Sequence, residues 1–211
     1  MIPPGDHALT ENGLAPDGTG RVLVIGCGAL AHEILALKRA NGWDHLDLAC
    51  LPAIWHNHPE RIAPGIRAAV AQHRAGYATI LVAYADCGTG GGLARACAEL
   101  GVEMIAGPHC YAFFDGVDAF AARQDELTAF YLTDFLARQF DAFVWRPLGL
   151  DRHPDLVASY FGNYRRLIYL AQTDDPALDA TARACAARLG LDYERRLTGY
   201  GDLAGFLSAR G

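Results

Sequence analysis

The chain has 211 residues, 52% of them hydrophobic and 20% charged, with a formal net charge of −6. That length supplies one substantial core, and an excess of 24 acidic over 18 basic residues argues against a surface that neutralises nucleic-acid phosphates. No run approaches the roughly eighteen apolar residues of a membrane span, and the opening MIPPGDHALTENG carries neither a basic leader nor an apolar signal core. The expectation is a cytoplasmic protein with no membrane or nucleic-acid partner.

Residues 1–20, rich in Pro, Gly and Asp, read as a flexible N-terminal arm, and residues 21–211 as a single α/β domain. RVLVIG is a short apolar run suited to a buried strand, followed by a helical stretch around Glu33 to Lys38; LDLACL is the second strand. PERIAPGIRAAVAQHRAG predicts a helix despite its internal Pro and Gly, and YATILVAY is the clearest strand, of the kind found when helices cover both faces of a parallel sheet. ADCGTGG leads into the helix GLARACAELG, whose last glycine is a natural stop, and VEMIAG is the fourth strand. This alternation predicts a three-layer, doubly wound, mainly parallel sheet with helices on both faces, every strand-to-helix turn opening on one edge.

The remainder reads as insertions after the fourth strand. Glu126 to Phe140 predicts a long helix, whose aromatic segment FYLTDFLARQF suits either the core or a homodimer contact. FDAFVWRPLGLDRHPDL is less periodic and suits a short strand before a functional loop, and RRLIYLAQT is a strand. Asp175 is placed to cap a helix that begins at Pro176 and ends near RLG, followed by the strand LDYERRL and a final helix DLAGFLSA.

Six cysteines stand at 27, 50, 87, 97, 110 and 185 without a close CxxC pair, so free thiols are expected. Three of them, Cys27, Cys87 and Cys110, each follow an inferred strand: GCGA, DCGTGGG and GPHC. In a doubly wound sheet the first and third strands are adjacent at the switch point and the fourth commonly lies beside the third. With strands about 4.8 Å apart, the three loops bring these sulfurs within reach of one ion. The alternative is three unrelated buried cysteines in short connections. A shared ion is read as zinc, with iron or an iron–sulfur cluster as the alternative; the dense C-x2-C runs of many clusters are missing.

WHNHPE places His56 and His58 after the second strand, and His58 is the preferred fourth donor or acid–base residue; His109 directly precedes Cys110. Glu33, near a helix start, and Asp86, beside Cys87, are candidate proton acceptors, with helix charge balance and turn capping as their structural roles. GLDRHPDL sets Asp151 and His153 close together, which makes His153 a candidate for proton transfer. Asn163, Arg165 and Arg166, in YFGNYRRLIYL, are candidate contacts for an anionic substrate. Three other motifs fall short. GCGALA has Ala31 at the last glycine position of a dinucleotide loop, with Asp47 at a suitable distance; DCGTGGG lacks the Lys-Ser/Thr of a P-loop; and LDRHP lacks the glycines that follow Asp-x-His in a corrinoid-binding loop.

Taken together, CGALAHEI, HNHPE, YADCGTGG, GPHCYAFFDG and LDRHPDLVASYFGNYRRLIYLAQ resemble the bacterial and archaeal DUF1638 family over residues 21–195. The resemblance implies one domain and leaves the reaction open; its association with corrinoid and methyl-transfer settings implies a methyl-transfer partner protein and one-carbon metabolism. The leading expectation is therefore a metal-dependent transferase, Zn2+ held by Cys27, Cys87 and Cys110, that moves a methyl or other small group to a metal-activated thiol of a small-molecule substrate. A metal-free enzyme with a cysteine nucleophile and a metallochaperone or small-molecule sensor are the competing classes.

Overall fold

The computed structural model describes residues 4–123 and 126–209. The protein has an α/β fold built on two parallel sheets, and the chain divides into two compact units: Met1–Phe113 with Asp202–Gly211, and Phe114–Gly201. The single domain expected from the sequence is thus two units, because the strand pattern closes one sheet at the fourth strand and begins another.

The first unit holds α1 (Asp6–Glu11), β1 (Val22–Cys27), α2 (Ala31–Asn41), β2 (Leu46–Leu51), α3 (Ile62–His73), β3 (Thr79–Ala83), α4 (Gly92–Leu100) and β4 (Glu103–Met104). Its strand order is β2-β1-β3-β4, all parallel, with Gly26 opposite both Cys50 and Ala83. The chain moves outward from β1 to β2, then returns across β1 to β3. With right-handed crossovers that reversal puts α2 on one face and α3 and α4 on the other, and α3 and α4 do pack on each other. The switch point lies between the C-terminal ends of β1 and β3.

The core is the interior of these strands: Leu23, Val24, Ile25, Leu81 and Val82 are closed to solvent, as are Ile62, Ile66 and Val70 of α3. The last of these recur at helical spacing, the pattern of a stripe facing a sheet. Pro64 falls in the first turn of α3, where its missing N–H has no helical carbonyl to reach. Gly101 ends α4 in the left-handed region at φ 64°, as its sequence position implies.

Residues 1–20 differ from the loose arm expected. Asp6–Glu11 is helical, and Leu9 and Thr10 are buried. Asp6 Oδ1 meets His32 Nε2 at 2.8 Å, Leu14 bridges antiparallel to Cys50, and Gly20 N–H donates to Asp47 Oδ2. The physical reason is Gly28: a Cβ there would stand 2.4 Å from the Leu9 carbonyl oxygen, so the absent side chain is what lets the N-terminal helix close on the turn after β1.

The second unit follows α5 (Ala112–Asp115) and comprises α6 (Val117–Ala122), β5 (Ala129–Leu132), α7 (Asp134–Arg138), α8 (Val157–Phe161), β6 (Arg166–Ala171), α9 (Pro176–Leu189) and β7 (Asp192–Leu197), with α10 (Gly201–Ser208) following. Its parallel order β5-β6-β7 advances in one direction. Asp175 Oδ1 accepts from Ala177 N–H and Leu178 N–H, capping α9 where expected, and Gly190 ends it. The long helix expected over Glu126–Phe140 is instead a strand and a short helix. AFYL is an aromatic-rich run that pairs with β6, and Thr133 Oγ1 accepts from Leu136 N–H, so α7 starts after the strand. Phe135 and Phe140 of this segment are buried within the unit, and the stretch FDAFVWRPLGLDRHPDL, which suited a short strand before a loop, begins with a π-helical turn over Asp141–Trp145. No helix among the described residues is long and apolar enough to cross a membrane.

Candidate functional site

Three loops at the C-terminal edge of the first sheet bring Cys27, Cys87 and Cys110 together, as the strand order requires. Cys27 ends β1; Cys87 follows β3; Cys110 lies in the loop after β4. The second and third loops are stitched by backbone bonds, Asp86 N–H to Gly107 O at 3.1 Å and Cys87 N–H to Pro108 O at 3.0 Å. Cys87 Sγ and Cys110 Sγ stand 3.5 Å apart. Cys27 and Cys87 are buried and Cys110 is half-buried as a residue.

The loop geometry is specific. Cys87 has φ 44°, the only described non-glycine residue in the left-handed region, and Gly88, Gly90 and Gly91 continue the turn with positive φ. A cysteine there costs energy that glycine would avoid. Asp86 organises the turn: its carboxylate accepts from Thr89 Oγ1 at 2.6 Å, Gly91 N–H at 2.8 Å and Gly90 N–H at 3.1 Å. These bonds, the Thr89 hydroxyl foremost, hold its pKa below the ordinary aspartate value against the effect of burial. Its oxygens are spent on the backbone, so Asp86 builds the site and is poorly placed to accept a substrate proton.

The thiols share protons unequally. The bonds of Cys110 with Cys27 and Cys87 push its own pKa well above the usual thiol range. The Cys110 bond lowers Cys87 to about 5, against burial and with help from His56. Cys27 is lowered too, first by Cys110 and then by the Ala29 N–H, against burial and the Cys87 charge. The cluster therefore holds thiolate character at neutral pH, in a pocket with little water to screen it.

Of the two histidines after β2, the structure selects the one the sequence did not favour. His56, exposed like His58, interacts with the Cys87 sulfur, which raises the imidazole pKa against the partial desolvation of its ring. His58 is exposed and faces Glu60, with Nδ1 to Oε1 at 3.7 Å. His56 lies in a 3-10 turn over Ala53–Asn57 with Trp55, whose ring lies where a Cβ on Gly65 would stand, 2.3 Å from Cζ3. His109 is half-buried, stacks on Tyr111 at 4.9 Å between ring centroids, and is shifted below the ordinary imidazole range chiefly by desolvation.

Glu33 is buried in the first turn of α2, and its charge, after burial and Cys27, helps raise the Cys50 thiol. His153, Asn163, Arg165 and Arg166 belong to the second unit. Asp151 lies by Arg152 at 4.0 Å. Arg166 pairs with Glu194 at 3.2 Å and Glu126 at 3.7 Å, leaving its guanidinium occupied by carboxylates. Tyr84, absent from the sequence-derived candidates, is fully buried at the cluster, and the charges of Cys27, Cys110 and Cys87, after desolvation, raise its pKa well above the phenol range. Its place directly after the third strand was the available signal.

Among the described residues, no group of three or more His, Cys, Asp and Glu side chains is gathered in a form that would hold a metal ion as it stands. No match to this chain is found among the curated proteins or the solved structures. The model of the family described as "Protein of unknown function (DUF1638)" matches residues 50–207, a span that includes His56, Cys87 and Cys110 and follows Cys27. With the match covering most of the chain, the protein belongs to the DUF1638 family.

Proposed function

We propose that Cys27, Cys87 and Cys110 are the protein ligands of one soft divalent cation, zinc, in an enzyme that transfers a methyl or other small group to a thiol. The observation that carries this reading is the meeting of three sulfurs from three separate loops at the switch point, with Cys87 and Cys110 at 3.5 Å. Two thiolates on one tetrahedral zinc, each at about 2.3 Å, stand roughly 3.8 Å apart, so this pair needs little adjustment and Cys27 has to close on it. Three cysteines leave a fourth position for a substrate sulfur.

A zinc ion held there supplies the positive charge that keeps a bound thiol ionised near neutral pH. The chain's own residues do the rest. Asp86 and the glycine turn fix Cys87, and His56 accepts the proton that the incoming thiol releases. In the transfer, the thiol sulfur forms a bond to the migrating carbon as the donor's leaving group departs with the bonding electrons. A small methylated donor and a methyl-corrinoid partner protein are the two donor classes that suit this chemistry.

A second reading has its own support: the strained backbone of Cys87 and its pKa of about 5 suit a metal-free nucleophile with His56 as base. Element-resolved metal analysis of untagged, anaerobically purified protein separates the readings, comparing the parent with Cys87→Ser. Near-stoichiometric zinc in the parent, lost in a folded Cys87→Ser, is the expected result. Full occupancy in the variant overturns the ligand set. A metal-free parent with one rapidly alkylated thiol establishes the nucleophile, stoichiometric iron replaces zinc, and metal that passes reversibly to another protein without turnover makes this a metallochaperone.

A further inference from the structure

Ile62, Ile66 and Val70 of α3 are closed to solvent, but a second row of the same helix, Gly65 and Ala69 one turn apart, meets two different surroundings. At Gly65 the space is full: a Cβ there would stand 2.3 Å from Trp55 Cζ3 and 3.2 Å from Leu51 Cδ1. At Ala69 it is open. Ala69 lines a cavity of about 640 Å3, together with Ile25, Ala49 and Leu51 of the sheet and Leu14, Ala15 and Pro16 of the N-terminal segment. Voids in a close-packed interior are few and seldom exceed a water molecule, whereas ligand cavities run from about 300 to 1,000 Å3. With only a methyl at positions 49 and 69, the chain forgoes apolar burial that larger side chains would supply there.

The walls are built in advance. Leu14 N–H donates to Cys50 O at 2.9 Å and Cys50 N–H to Leu14 O at 2.8 Å, while Asp47 Oδ2 accepts from Gly20 N–H at 3.0 Å and from the Tyr77 hydroxyl at 2.8 Å. The N-terminal segment is thus tied on both sides of the stretch that lines the cavity, and Tyr77, another lining residue, is held by the same carboxylate. Among the described residues, no Lys, Arg, Asp or Glu lines the cavity; Asn12 and Gln72 bring exposed amides to it, and His73 meets Tyr77 edge to face at 6.1 Å between ring centroids. A charged ligand would lose hydration there without gaining an opposite charge. Amide side chains donate and accept together, and aromatic walls favour a ring. We infer that this cavity binds a neutral, largely apolar small molecule: a ring body seated over Ile25, Ala49 and Ala69, with an amide-like edge turned to Asn12 and Gln72. None of Cys27, Cys87 and Cys110 lines the cavity, and the inference does not depend on that cluster.

The test is isothermal titration calorimetry of the full chain with two probes of one shape, naphthamide and naphthoate, at about pH 7, where the carboxylate is ionised. Naphthamide is expected to bind saturably at one site per chain, and naphthoate about tenfold more weakly for want of a cationic partner. Ala69→Phe places a ring in the cavity and is expected to weaken naphthamide by about tenfold or more. Asn12→Ala combined with Gln72→Ala leaves the apolar lining intact and is expected to weaken it about fivefold through lost hydrogen bonds. Leu127→Ser, which removes an exposed apolar side chain of the second unit, is expected to leave the titration unchanged. A parent with no saturable heat from naphthamide overturns the site, as does undiminished binding in a folded Ala69→Phe, which would put the probe elsewhere. Naphthoate bound as tightly as naphthamide overturns the neutral class of ligand. Where circular dichroism shows that Ala69→Phe does not fold, the amide variant decides alone: weakened binding supports the site and unchanged binding overturns it.

Discussion

Asp134 follows β5 as Cys87 follows β3, yet the two sheet edges treat their polar groups in opposite ways. In the second unit the Asp134 carboxylate is buried and fully engaged: Oδ1 accepts from the Tyr169 hydroxyl at 2.6 Å and Gln172 N–H at 3.0 Å, and Oδ2 from the Thr173 hydroxyl at 2.6 Å and Thr173 N–H at 3.1 Å. Gln172 returns the bond through Oε1 to Asp134 N–H at 2.8 Å. In the first unit the same address holds three thiols, one of them on the left-handed Cys87, and a phenol that completes no hydrogen bond among the described residues. Topology explains part of the difference. The order β2-β1-β3-β4 contains a reversal and hence a crevice at the strand ends, whereas β5-β6-β7 advances without one. A closed edge spends its polar groups on stability, while an edge with a crevice can leave them for a ligand.

The contrast is open to breakage, most strongly at Asp134. Asp134→Ala removes the acceptor for four donors, the Tyr169 and Gln172 ones buried, and is expected to destabilise the second unit by roughly 3–5 kcal/mol in denaturant unfolding. Cys87→Ser in metal-free protein is expected to cost below about 1 kcal/mol on the same assay, since it exchanges one small polar side chain for another at a strained position. Equal costs would mean that the thiol edge is as structural as the carboxylate edge.

Glu126 gives the next largest effect. It is buried and takes two bonds from the Arg196 guanidinium, at 2.5 Å and 3.0 Å, and one from the Tyr131 hydroxyl at 2.5 Å. Burial alone would raise its pKa, but these partners and Arg123 hold it below the ordinary value of 4.5. A depressed carboxylate pKa stabilises the fold above the unfolded value and loses that contribution as pH falls through the folded one. The parent should therefore lose stability below about pH 4.5, steepening toward the lower folded-state pKa, with Glu126→Gln showing a shallower acid loss. At neutral pH the variant should be weaker by about 2 kcal/mol, less than for a fully buried pair because the arginines keep some solvent contact. A thermal unfolding series from pH 3 to 7 would check both, roughly the span over which carboxylates titrate.

Gly65 ties packing to the thiol site. Gly65→Ala drives a methyl into the Trp55 ring and should cost about 1–3 kcal/mol. It should also move the turn that carries His56. Trp55→Phe in the same chain should recover part of the stability; no recovery would show that the clash is relieved elsewhere.

The smallest effect separates the two histidines. His56→Ala should slow Cys87 alkylation at pH 6 by about tenfold, equivalent to roughly 1.4 kcal/mol, because the imidazolium that favours the thiolate is gone. The difference should shrink as pH rises and the thiol ionises in both proteins. His58→Ala should change the rate less than twofold by the same reasoning, and the reverse ranking would return the role to His58.

Much of this was legible in the chain itself. Runs such as RVLVIG, LDLACL and YATILVAY are apolar because both sheet faces are covered, and local burial leaves that mark wherever the strand ends up. Asp175 with Pro176 and Gly190, and the stop at Gly101, are backbone constraints that act over a few residues and so read directly. The position of Cys27, Cys87 and Cys110 after successive strands was equally local, and the parallel order then sufficed to expect their meeting. What the tertiary structure decided were choices between local states of similar energy. Whether Glu126–Phe140 is helix or strand depends on pairing with β6, which of His56 and His58 meets the Cys87 sulfur depends on the path of the loop after β2, and whether residues 1–20 pack depends on the space above Gly28.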